Sequence, residues 1–220
     1  MAVRTQAEIL ADIAALFADN VSGDINAADL RSVTEDITDT LFANDSEVLI
    51  SSATASNSAS IDFTSGIDST YTRYRIDFDG VSAVSPSPEM EILTSSNAGV
   101  SFDTGASDYK WATVGRHSDA GGVQSQSDAD NSYRIGFNAS VQNASQDNMG
   151  GSLIINNPSN SSYFTTMQGF LVSYRNDLTR VYHVNSAGAR AQAAIVDGIR
   201  LQLSTSNIAS GNFKLYGLGG

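Results

Sequence analysis

Cysteine is absent from the 220 residues, which removes disulfides, thiolate zinc sites and a cysteine nucleophile together. Histidine occurs only as His117 and His183. They are far apart and form neither HxH nor HExxH spacing, so no zinc site is expected. Charge is scarce, with Asp, Glu, Lys and Arg making up 16% of the chain, and it is one-sided, at a net −12. No basic stripe or aromatic–basic platform interrupts it, so nucleic acid would be repelled. No apolar run approaches the roughly 20 residues that span a bilayer. The first residues, MAVRTQAEIL, contain no apolar signal-peptide block.

What is present is a core-forming share of apolar residues, 41%, distributed in two rhythms. The first is helical. Thr5 and Glu8 have capping-box spacing, and Ile9, Leu10, Ile13, Leu16 and Phe17 recur at helical intervals. After Asn26 and Asp29, which could cap a second helix, come Leu30, Val33, Ile37, Leu41 and Phe42, with Asp29, Glu35, Asp36 and Asp39 on the other face. The turn between them, in LFADNVSGDINAADL, imitates a calcium-binding EF-hand loop. With Gly23 at loop position six, however, Ala18 falls on the first ligand position and has no side-chain oxygen. The turn reads as mechanical. Helices this short are marginal alone, so their apolar stripes should pack on other protein. Residues 1–47 are therefore expected to be a helical attachment and trimerisation segment with a linker at 43–47. The interface residues should be Ile9, Ile13, Leu16, Phe17, Leu30, Val33, Ile37 and Leu41.

The second rhythm fills 48–220. Tyr74, Ile76 and Phe78 alternate with Arg73, Arg75, Asp77 and Asp79, which predicts a half-buried strand. Tyr133, Ile135, Phe137 and Val141 form a similar apolar set, as do Phe170, Val172 and Tyr174, and Ile199, Leu201 and Leu203. Phe213 and Leu215 flank Lys214 near the end. Further strands are expected at 47–52, 60–64, 90–95, 110–115, 153–156 and 179–184. The segments between them, SDAGGVQSQSDADN among them, are rich in turn formers. About ten short strands without helices predict an antiparallel β-sandwich, with a jelly roll as the preferred topology.

Chemistry-bearing patterns are thin. No GxSxG elbow occurs. Asp77 and Asp79 share a strand face with Arg73 and Arg75, which reads as a solvated, charge-paired face rather than a glycosidase acid pair. Asp119, Asp128 and Asp130 crowd one polar segment and could together hold calcium. Tyr109 and the lone tryptophan, Trp111, could stack on a sugar, though core packing explains them more simply. The pairs Gly121–Gly122 and Gly150–Gly151 read as tight turns rather than phosphate loops. No catalytic residue, metal or cofactor is expected.

Three stretches resemble tailed-bacteriophage virion structural proteins. ILADIAALFADNVSGDINAADLRSVTEDITDTLF resembles their N-terminal pair of short helices around an LFxDNxxGxIxxxDLR turn. STYTRYRIDFDGVSAVSPSPEMEILTSSNAGVSFDTGASDYKW is similar to a phage β-sandwich segment, although TSSNAG departs from its fuller glycine-rich turn. IVDGIRLQLSTSNIASGNFKLYGL resembles its closing SGxFxLYGL strand. The resemblance implies a non-enzymatic, commonly trimeric virion protein, made in the bacterial cytoplasm and carried on the particle surface. Its first expected role is capsid decoration (cement), with the major capsid protein or other virion proteins as partners. The alternative is a tail or head fibre protein whose sandwich binds a host surface glycan. Neither implies nucleic-acid or membrane binding.

Overall fold

The computed structural model describes residues 47–119, 122–136, 141, 143, 148–175 and 180–219. The anchor residues Ile9 to Leu41 lie outside the described residues, as does the helical pair expected around them. Within them the chain is built of strands: β1 (Glu47–Ser58), β2 (Ser60–Phe63), β3 (Arg73–Ala83), β4 (Met90–Ser95), β5 (Tyr109–His117) and β6 (Gly122–Asp130). After these come β7 (Tyr133–Arg134), β8 (Asn148–Asn156), β9 (Thr166–Arg175), β10 (Arg180–Arg190), β11 (Gly198–Leu203) and β12 (Ile208–Leu218). Glu47, read both as the end of a linker and as the start of a strand, belongs to β1.

Two sheets result, a mostly-β architecture that fits a sandwich. The large sheet has eight strands in the order β1-β12-β3-β8-β9-β10-β5-β6, and the small sheet four in the order β2-β11-β4-β7. Alternation explains the first half of the large sheet. Tyr74, Ile76 and Phe78 of β3 are buried, and β12 places Leu215 opposite Ile76 and Phe213 opposite Phe78. On the other flank β8 sets Leu153 opposite Ile76 and Ile155 opposite Tyr74. Each such side chain taken out of water contributes roughly 1.5–3 kcal/mol. All six residues of β4 are buried. Among them Met90 and Ile92 join Ile199 and Leu201 of β11 in the same core.

The structure corrects three local expectations. SDAGGVQSQSDADN is not a loop, because Gly122–Asp130 of it form β6, paired along β5. As the edge strand of its sheet, β6 is held by main-chain bonds on one side, so it needs no apolar alternation to betray it. Gly150 and Gly151 lie inside β8 rather than in a turn. A Cβ on Gly151 would sit 2.1 Å from the Phe170 carbonyl oxygen and 2.8 Å from the Phe78 ring, so the position is glycine for close packing. The strand expected through Tyr133 to Val141 differs: among its described residues only Tyr133–Arg134 pair with β4 as a strand, and Ile135 then donates its N–H to the Met90 carbonyl.

Candidate functional site

The sequence-read candidates fall in different places. Tyr109 and Trp111 both point into the core. The Tyr109 hydroxyl accepts the Thr94 N–H at 2.7 Å, and the Trp111 indole donates to Asp130 at 3.1 Å. Burial, opposed by the Thr94 hydrogen bonds, pushes the Tyr109 phenol up to about 12. With both rings enclosed, neither offers the open face a sugar would stack on, which corrects their reading as glycan contacts.

Asp119 lies beyond the β5 end where Arg116 pairs with Gly122, and Asp130 lies at the far end of the pairing opposite Tyr109. The two ends are roughly 23 Å apart along the strand, so Asp119 cannot share a calcium ion with Asp128 and Asp130. Asp119 is instead bonded to His117 and Arg180. Among the described residues no group of three or more His, Asp or Glu is arranged to hold a metal. Asp77 takes an ion pair from Arg75 at 2.9 Å, and the Arg75 guanidinium lies 4.9 Å from the centre of the Tyr216 ring. This is a charge-paired outer face. His183 is exposed on β10, far along the chain from the paired His117.

The sequence pattern did not single out a cluster around Arg134. Its guanidinium bonds Glu89, lies 3.8 Å from Glu91 and 3.5 Å from Asp130, and covers the Trp111 ring at 5.7 Å. These carboxylates, with Glu89 foremost, outweigh burial and raise its already high pKa. The cluster clamps β7 onto its neighbours, with the charge of Arg134 met by Glu89, Glu91 and Asp130.

The unsatisfied surface lies elsewhere, on the outward face of β8, β9, β10 and β5. In β9 the register is the reverse of the expected one. Leu171 and Ser173 face the core, while Phe170 (41% exposed) and Val172 (38%) face outward. The cause is steric. A Cβ on Gly169 would come within 2.4 Å of Ser186 Oγ and 2.7 Å of an Ile135 methyl, so this inner position must be glycine and the large Phe170 faces the other way. Tyr133 occupies the same inner space, its hydroxyl 2.7 Å from Ser186 Oγ.

Register then assembles the outer surface. Asn185 lies opposite both Phe170 and Val114, and His183 opposite both Val172 and Arg116. Val114 (59%) and Val181 (45%) are the other large apolar groups exposed there. The Phe170 and His183 rings lie 5.5 Å apart, and the Asn185 amide donates to His183 Nε2 at 3.2 Å.

Charge distinguishes this face as sharply as hydrophobicity. None of the four strands contains an Asp or Glu. They do carry Lys110, Arg116, Arg175, Arg180 and Arg190, five of the chain's 12 Lys and Arg. Arg190 is buried against Asp103 at 2.8 Å and Arg180 is bonded to Asp119. Lys110 and Arg116 point outward on β5. An apolar surface with a cationic border, on a chain of net charge −12, has the makings of a protein-binding surface. No family model matches the chain, and neither a curated protein nor a solved structure matches it.

Proposed function

We propose that this chain is a non-enzymatic structural protein of a tailed-bacteriophage particle. Its first role is capsid decoration: a homotrimer attached through the N-terminal segment that stiffens the shell. The observation that carries the reading is the strand order. With β5, β6, β9 and β10 set aside, the sheets become β1-β12-β3-β8 and β2-β11-β4-β7. In that order β1 neighbours β12, β2 neighbours β11, β3 neighbours β8 and β4 neighbours β7, a hairpin of hairpins rolled into two sheets. That nesting supports the jelly-roll reading, an architecture used by viral capsid and lectin domains. The resemblance of the three sequence stretches points the same way.

The outward apolar face adds support, since a shell-stiffening protein works by burying surface against neighbours, and several attachments on one trimer reinforce one another. Mass spectrometry and reconstruction of purified particles test it. The expected outcome is many copies arranged with capsid symmetry; absence from particles would refute the proposal.

The fibre reading retains one specific support. Tyr163 and Phe164, in the loop after β8, are the exposed aromatic neighbours that the buried Tyr109 and Trp111 are not. A handful of copies at the tail, together with glycan binding lost on Tyr163→Ala, would favour it over decoration.

A further inference from the structure

We infer that the outward face of β8, β9, β10 and β5 receives the N-terminal segment, residues 1–46, of a neighbouring copy of the chain. The inference rests on the proposed trimeric attachment role and names the surface that role uses. Three observations select this occupant.

The first is apolar match. Phe170, Val172, Val114 and Val181 are exposed together on one face, and the segment brings apolar residues at helical spacing, such as Ile13 and Ile37. The second is charge. Residues 1–46 hold nine Asp and Glu (Glu8, Asp12, Asp19, Asp24, Asp29, Glu35, Asp36, Asp39, Asp45) against Arg4 and Arg31, a net −7 of the chain's −12. The receiving strands hold no carboxylate, and Lys110 and Arg116 stand outward without an ion pair among the described residues. A face-to-face pair of identical copies would instead bring cation toward cation, which disfavours it.

The third is reach. The segment joins the described chain at Glu47, the start of β1, on the edge of the same sheet. From β1 to β9 is four strand spacings, roughly 19 Å. Forty-six residues span about 69 Å even when wholly helical, so the segment can cross to an adjoining copy.

The absence of cysteine makes the test clean. Two differently tagged full-length chains are co-expressed, one carrying Val172→Cys and the other Ile37→Cys, with Leu41→Cys as a second position in the segment. The expected result is a disulfide-linked dimer containing both tags. It should fall about fivefold at low salt when Lys110→Glu and Arg116→Glu are added, the size of a surface charge pair or two.

Dimers formed only between two Val172→Cys chains would overturn the inference in favour of face-to-face pairing. A monomeric disulfide seen only when one chain carries both cysteines would overturn it in favour of a segment folded on its own sandwich. No disulfide at either position overturns it outright. Assembly into particles without the mixed dimer sinks this inference and leaves the decoration reading standing. The mixed dimer in a protein absent from particles does the reverse.

Discussion

The large sheet contains two halves with opposite habits. In β12, β3 and β8 the core side is apolar, carrying Phe213, Leu215, Ile76 and Leu153, and the outer side of β12 and β3 is charged, with Asp77 opposite Lys214. In β9, β10 and β5 the core side admits small and polar groups, Gly169, Ser173, Ser186 and Thr113, while the outer side shows Phe170, Val172 and Val114. The same sheet thus obeys inside-out patterning at one end and relaxes it at the other. The difference teaches that outward apolar residues here are not spare core. They sit where the inner space is already filled by Tyr133 and Ile135, so folding alone does not account for them.

The largest effect that could break this comparison comes from removing one ring from each half. Phe213→Ala should lower the unfolding free energy by about 3–5 kcal/mol, whereas Phe170→Ala should change it by less than about 0.5 kcal/mol. Urea titrations of the two variants measure this, and equal losses would erase the distinction. Next in size is an alkaline effect from the half with buried hydroxyls. Tyr109 titrates near 12 in the folded protein and near 10 when unfolded. The unfolded chain therefore loses this proton first. The stability tied to it is fully present below pH 10 and declines as pH rises toward 12, by about 3 kcal/mol in all. Burial raises Tyr133 as well and adds in the same direction. Thermal melts from pH 9 to 12 should show the decline, and Tyr109→Phe should flatten it.

Gly151→Ala sharpens the boundary between the halves, because the new methyl would meet both the Phe170 carbonyl and the Phe78 ring. It should cost roughly 1–3 kcal/mol, measurable by the same titration. The smallest effect belongs to the surface of the small sheet. Arg200 grips Asp62 through two bonds of 2.8 and 2.6 Å, with its guanidinium 4.1 Å from the Phe102 ring centre. Burial would raise Asp62, but the Arg200 bond prevails and its pKa is lowered. Its contribution is present above the unfolded pKa near 4 and is lost as pH falls through the lower folded value. Asp62→Asn should remove under about 1 kcal/mol at neutral pH and nothing in strong acid.

The strands that pack on both flanks were the legible ones. Met90–Ser95 is read from sequence with its observed bounds, and β3 with its inward and outward residues correctly sorted. Alternation worked at β3 because burial on one face imposes it, whereas β4 is buried along its whole length. It failed at β6, whose pairing is carried by main-chain atoms that leave no side-chain signature. It misled at β9, where Phe170 and Val172 face outward while Gly169, Leu171 and Ser173 face in. That inversion depends on Tyr133 and Ile135, more than thirty residues away in the chain, so no local pattern could reveal it. The outward face was hidden for the same reason. Its parts, Val114, Phe170, Val172 and Val181, come from three strands that only the pairing register brings side by side. Tyr109 and Trp111 were legible as residues of one strand side, and burial then settled which side it was.

The nested strand order has a temporal consequence. Thr54 Oγ1 of β1 bonds Asn212 Oδ1 of β12 at 3.2 Å, a partner 158 residues later. Because β12 lies between β1 and β3, β1 has no strand neighbour among the described residues until Ile208–Leu218 has been made. Growth of the chain on the ribosome therefore outlasts any chance of stepwise closure from the N-terminus, and rapid local folding is ruled out by the number of distant meetings required. A chain cut short before Ile208 would leave two exposed strand edges in the middle of its broadest sheet, an invitation to stick to other unfinished copies.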